Sequence, residues 1–88
     1  HSNHAKLLAR AHALDRAGNA SEALGAYRDY LAREPRHADA WADYAGQLLV
    51  LRQLKEAEAA CGKALELDPR NLAARINLGC VHMQVGRW

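Results

Sequence analysis

The chain has 88 residues, 50% of them hydrophobic, with 12 Lys and Arg against 10 Asp and Glu for a net charge of +2. That length is at the low end for one domain, and the scattered, nearly balanced charges exclude the clustered basic surface that nucleic acid or an anionic membrane requires. Phe is absent, Gly and Pro are few, and much of the apolar fraction is alanine, a composition that favours close-packed helices over sheet.

No apolar run approaches the roughly 20 residues that span a bilayer, the longest strongly apolar stretch being Leu48–Leu51, and no signal peptide is visible. Cys61 and Cys80 are too few for a disulfide-stapled scaffold, so a reduced, cytoplasmic setting is the expectation. The chain starts at His1 rather than Met, and that start is read as a processing boundary.

The first predicted helix ends at Gly18, whose lack of a Cβ suits the left-handed residue that closes a helix. The second starts within Asn19–Glu22, with Asn19 or Ser21 as its cap, and ends at Glu34-Pro35, because the residue before a proline is pushed out of the α region. The third covers Ala38–Leu51, with Trp41, Tyr44, Ala45 and Leu48 on one stripe at i, i+3, i+4 and i+7. Arg52 stands where Gly18 stood, which predicts a strained or differently shaped turn. The fourth covers Lys55–Leu67, presents Ala57, Ala60, Cys61, Ala64 and Leu65 to the third, and ends at Asp68-Pro69. The fifth covers Leu72–Val85 and is followed by Gly86, again at the glycine position.

These elements repeat. LAREPR at 31–36 returns as LELDPR at 65–70, an offset of 34 residues, and the same offset pairs Ala11 with Ala45, Leu14 with Leu48, Glu22-Ala23 with Glu56-Ala57 and Ala26 with Ala60. A fixed period of this length marks a stacked helical array. The repeats are 4–37, 38–71 and a partial 72–88, together one domain over 1–88. An array with its last pair half finished is expected to be a segment of a longer one, because stacked repeats need capped ends.

The pattern resembles the tetratricopeptide repeat, which favours Trp, Leu, Gly, Tyr, Ala, Phe, Ala and Pro at its signature positions. The second repeat supplies Trp41, Tyr44, Ala45, Leu48, Ala57, Cys61, Ala64 and Pro69. The first supplies Leu7, Arg10, Ala11, Leu14, Ala23, Tyr27, Tyr30 and Pro35, and the third supplies Arg75, Leu78, Gly79 and His82. Arg10, Arg75 and His82 depart from the family by being polar, and are expected near an end of the stack or reaching to solvent. The resemblance implies an all-α fold: antiparallel helix pairs stacked in a right-handed solenoid of about five helices.

It also implies a concave groove lined by the first helix of each pair. Carried onto this chain, the groove positions are Ala5, Leu8, Ala9, His12, Asp15 and Arg16, then Asp39, Ala42, Asp43, Gly46, Leu49 and Val50, then Ala73, Ile76, Asn77, Cys80, Met83 and Gln84. The candidate partner-binding residues among them are Leu8, His12, Asp39, Asp43, Leu49, Val50, Ile76, Asn77, Cys80 and Met83. Leu49, Val50, Ile76 and Met83 suit an apolar peptide or helix, unless Leu49 and Val50 only pack between helices. Asp39 and Asp43, four apart on one face, suit a basic side chain, unless they are simply solvated.

The expected function is a non-catalytic scaffold or adaptor that holds a protein or peptide partner, with no cofactor, metal, nucleic acid or membrane. Some relatives grip a peptide carboxylate with Lys, Asn and Arg, but Leu8, Asp43 and Gly46 occupy key places here. Two alternatives stand. Asn77 in INLGC resembles the asparagine row of protein O-glycosyltransferase superhelices, although Ala9 and Asp43 break the row, so the chain would recruit substrate for a larger enzyme. The open third repeat could instead pair with another copy as a homo-oligomer. Cys80 and His82, two apart on a helix, point different ways and cannot chelate one ion, and His1, His4 and His12 read as surface histidines. The aromatic residues Tyr27, Tyr30, Trp41, Tyr44 and Trp88 follow the repeat core, with no basic stripe beside them.

Ala57 is assigned to the closest helix approach. Ala57→Leu is therefore expected to overpack the second repeat and cost about 1–3 kcal/mol in a thermal melt; an unchanged melt would contradict the register.

Overall fold

Five helices in chain order make up the described residues, 2–86, of the computed structural model: α1 (Ser2–Arg16), α2 (Ala20–Arg33), α3 (Ala38–Val50), α4 (Leu54–Leu67) and α5 (Leu72–Val85). His1, Arg87 and Trp88 lie outside the described residues, so of the expected turn after α5 only Gly86 is described. The observed end of α3 and start of α4 each differ from the expected ones by a single residue, and α3 starts at Ala38 as expected.

α1 packs on α2, α3 on α4, and the pairs stack through α2 on α3, α3 on α5 and α4 on α5. The result is elongated, 42 × 27 × 17 Å, as expected when each pair touches only its neighbours. The predicted stripes meet: Tyr44, Ala45 and Leu48 of α3 share one core cluster with Ala57, Ala60 and Cys61 of α4. Ala45, Leu48, Ala57 and Cys61 are fully buried. Burying the Leu48 side chain alone contributes roughly 1.5–3 kcal/mol. A second, smaller cluster joins Ala42, Ala64 and Ala74, so alanine sits where α3, α4 and α5 converge.

The three departures from the family pattern all stay at the surface. Arg10, Arg75 and His82 are exposed, and His82 Nε2 lies 3.5 Å from Glu58 Oε2.

Helix ends follow the sequence with two corrections. Pro35 and Pro69 follow the closing residues Glu34 and Asp68, whose N–H groups donate to Tyr30 O and Ala64 O. Asn19 does precede α2, but its side chain makes no capping bond, and Ser21 lies inside the helix. The side-chain cap is instead on α5, where Asn71 Oδ1 accepts from Ala74 N–H at 2.8 Å. Gly86 has φ −64°, a right-handed residue rather than the expected left-handed one.

The other two turns are copies of each other. Gly18 has φ +81° and Arg52 has φ +63°. Asn19 N–H donates to Leu14 O at 2.9 Å, and Gln53 N–H donates to Leu48 O at 2.9 Å. This is the six-to-one closure that ends a helix on a left-handed residue. The expected strain at Arg52 is therefore real: the turn keeps the glycine shape and forces a side chain to adopt it.

A left-handed non-glycine residue costs roughly 1–2 kcal/mol, while glycine gives back about 0.5–1 kcal/mol through its looser unfolded chain. Arg52→Gly is expected to raise stability by about 0.5–1 kcal/mol in denaturant unfolding. A lower midpoint would mean that the Arg52 Nη1 bond to Gln84 Oε1, 3.0 Å long, outweighs the strain.

Candidate functional site

The first helix of each pair, α1, α3 and α5, lies along one side of the stack. Its two joints are unequal. α3 packs directly on α5, because Ala42 and Gly46 face Ala74 and Asn77 and leave room for close approach. Between α1 and α3 stand larger side chains, Leu8 and His12, and a cleft of about 340 Å³ opens there. Its walls are Leu8 and His12 from α1, His37, Asp39, Ala40 and Asp43 from the start of α3, and Ala73 from α5.

Polar bonds between successive pairs run along this face. His12 Nε2 and Asp43 Oδ2 are 3.1 Å apart. Asn71 Nδ2 donates to Asp39 Oδ1 at 2.7 Å, and Asn77 Nδ2 donates to the Ala42 carbonyl at 2.9 Å. The Arg52–Gln84 bond continues the series. The sequence separations are 31, 32, 35 and 32 residues, close to the repeat period. Sequence reasoning missed these bonds; the available signal was complementary polar residues spaced by about one repeat.

The candidate residues thus divide. Leu8, His12, Asp39 and Asp43 gather at the cleft. Both aspartates already hold a partner across a joint between helix pairs, His12 of α1 for Asp43 and the α5 cap Asn71 for Asp39, so they are braces as well as cleft walls. Asn77 donates one amide N–H to the Ala42 carbonyl, so it also braces the α3–α5 joint. Leu49 packs against the main core, which realises the packing alternative for that residue, whereas Val50 is 66% exposed. Ala42, carried over as a groove position, is fully buried by its close neighbours. Ile76, Cys80 and Met83 are exposed on α5, away from the cleft walls.

Burial sets the electrostatics. The Asp43 carboxyl is raised, first by desolvation and further by Asp15 and Asp39, with His12 pulling it back down. The Tyr27 ring meets His12 edge-on at 5.9 Å and is fully buried. Its hydroxyl is pushed well above the usual tyrosine range, by desolvation first and by Asp43 and Asp15 next. That hydroxyl has no hydrogen-bond partner among the described residues. On the far side of the stack, Arg28 Nε donates to Tyr44 Oη at 2.8 Å, and its Nη2 lies 3.3 Å from Glu56 Oε2, tying α2, α3 and α4 together.

Among the described residues, no three His, Cys, Asp or Glu side chains converge to hold a metal ion. His4 Nδ1 is instead 2.8 Å from Glu34 Oε1. No helix of the described residues is long and apolar enough to cross a membrane.

With this geometry established, comparison with known proteins identifies the fold. No family model matches the sequence, and no curated protein does. Solved structures do match. The second TPR of Spaghetti (RPAP3), solved bound to the HSP90 peptide SRMEEVD, superposes with a TM-score of 0.90 at 23% identity, over 96% of this chain and 78% of that one. The TPR2B domain of yeast Sti1, solved as a pHsp70 complex, superposes with a TM-score of 0.93 at 24% identity, over 99% of this chain and 70% of that one. The chain therefore has the tetratricopeptide-repeat fold, a solenoid of stacked helix pairs spanning about two and a half repeats.

The two cysteines differ in chemistry. Cys61 is buried, and its thiol is pushed up to about 11, by desolvation first and then by Cys80 and Glu58. It therefore holds no thiolate near neutral pH. Cys80 is exposed. A thiol reagent at pH 8 is expected to label one cysteine in the native protein and both after unfolding; fast native labelling of Cys61 would contradict its burial.

Proposed function

We propose that the chain is a non-catalytic protein-interaction scaffold that holds a peptide-like partner along α1, α3 and α5. The observation that carries this reading is the cleft at the α1–α3 joint, a concave site with apolar walls from Leu8, Ala40 and Ala73 and polar groups from His12, Asp39 and Asp43. An extended peptide fits such a site by placing one side chain in the cleft and its neighbours on the flanking helices. No group here is arranged as a nucleophile with a base beside it, so chemistry is not part of the proposal.

The partner's chemistry follows from charge. Both neighbours carry chaperone-derived ligands, one of them a peptide with three acidic residues in SRMEEVD. Here the cleft presents the Asp39 and Asp43 carboxylates and no Lys or Arg. Like charges facing one another oppose binding, so the partner is a segment with apolar and basic residues rather than an acidic tail. The use of Asn77 on Ala42 leaves the glycosyltransferase-type asparagine row without support.

A displayed library of short peptides tests this. Selected sequences are expected to be rich in Lys or Arg beside apolar residues. Ala73 is exposed at the cleft wall, so Ala73→Arg fills the cleft without touching the core. That variant is expected to bind the selected peptides at least tenfold more weakly, with an unchanged melting temperature. Equal affinity in the filled variant, or selection of acidic peptides, would overturn the proposal.

A further inference from the structure

The far side of the stack carries a second concave surface. Helices α2 and α4 both pack on α3, and between them two hollows share one floor, Trp41 and Tyr44 of α3. The hollow beside α2, about 280 Å³, is walled by Arg28, Leu31 and Ala32. The hollow beside α4, about 320 Å³, is walled by Glu56, Ala59, Ala60 and Lys63. Together they form one furrow. It is built from the three middle helices, so its shape does not depend on either end of the chain.

The floor is held in place. Trp41 Nε1 donates to the Pro35 carbonyl at 2.8 Å, and the Trp41 ring meets Tyr44 edge-on with centroids 6.0 Å apart. Tyr44 Oη accepts from Arg28 Nε at 2.8 Å, and the Arg28 guanidinium lies 6.0 Å from the centre of the Tyr44 ring. Trp41 is only half-buried and lines both hollows. An aromatic surface fixed in advance loses little freedom when an apolar side chain settles on it.

The rims set the charge. Arg28 Nη2 and Glu56 Oε2 face each other at 3.3 Å, and their charges offset. Lys63 is exposed and makes no ion pair among the described residues. The furrow is therefore left with one positive charge, on the α4 rim.

The repeat shows which part of this surface is particular. All six residues of the hollow beside α4 have counterparts one period earlier that also line a hollow, on α1 and α2. There Leu7 stands for Trp41, Arg10 for Tyr44 and Asp29 for Lys63. The shape belongs to the repeat. The aromatic floor and the positive rim belong to the second repeat alone.

We propose that the furrow between α2 and α4 is a second docking surface, for a partner segment with an apolar side chain beside a carboxylate. The apolar side chain lies on Trp41, and the carboxylate meets Lys63. An exposed ion pair adds little affinity. The aromatic contact therefore carries the binding, and the charge selects the sequence. A basic segment, as inferred for the cleft on the opposite side, is opposed here by Lys63 and Arg28. The two surfaces thus sort two kinds of segment by the sign of their charge.

A displayed library of short peptides lacking Trp tests this, selected on the Ala73→Arg chain so that the opposite cleft is filled. Selected sequences are expected to set Asp or Glu beside Leu, Phe or Tyr. Lys63→Glu turns attraction into repulsion and is expected to weaken their binding by about fivefold or more. Ala59→Gln narrows the furrow and is expected to weaken it by about tenfold or more. Both positions are exposed, so the melting temperature is expected to stay the same. In the Trp88→Phe background Trp41 is the sole tryptophan, and saturating peptide is expected to shift its fluorescence emission. A library that yields no binder, or binders without a carboxylate, would overturn the proposal. So would affinities that both variants leave unchanged, or a Trp41 emission that the peptides do not move. None of these outcomes bears on the cleft between α1 and α3, which has its own test.

Discussion

Everything in this fold depends on how closely two helix axes approach. Where α3, α4 and α5 meet, the contact residues are Ala42, Ala45, Ala57, Ala60, Ala64 and Ala74. Alanine removes the side-chain layer that would hold the axes apart, so the backbones come near and the larger Tyr44, Leu48 and Cys61 fill the remaining gaps. The chain has few large core residues, and its largest fully buried ones are Tyr27, Leu48, Val81 and Cys61. Stability in so small a core comes from many close backbone-level contacts more than from any one side chain. Where alanine gives way to Leu8 and His12, the helices separate and a cleft forms.

The fold was legible because its signals are local and repeated. The 34-residue offset, the two Pro-terminated helices and the four-residue stripe on α3 each depend on backbone geometry that a sequence states directly. Arg52 shows this well: its place in the repeat predicted a strained turn, and the structure puts it in the left-handed region with the same hydrogen bonds as Gly18. The site was less legible, because it depends on which side chains meet across a joint. The sequence marks Asp39, Asp43 and Asn77 as groove positions but does not show that they also reach across to Asn71, His12 and the Ala42 carbonyl. A periodic pattern tells which way a residue points. It does not tell how far the next helix stands, and that distance decides whether a polar group meets a neighbour or solvent. The capping of α5 by Asn71 rather than of α2 by Asn19 has the same cause, since Asn71 is also held from its amide side by Asp39.

The braces on the inner face have a second meaning for recognition. An aspartate that accepts one hydrogen bond from its own chain keeps lone pairs for another donor. His12 and Asn71 therefore orient the Asp43 and Asp39 carboxylates before any partner arrives. Orientation fixed in advance lowers the entropy lost on binding. In the proposed reading the same two carboxylates would serve both stacking and recognition.

The unequal joints also make the solenoid mechanically uneven. Helices α3, α4 and α5 form a stiff block of mutually packed axes, whereas α1 is tied to α3 by side chains alone across the cleft. The first pair is joined to the second chiefly through α2 on α3, so a rotation of that pair about this contact would change the width of the cleft while leaving the α3–α5 block as it is.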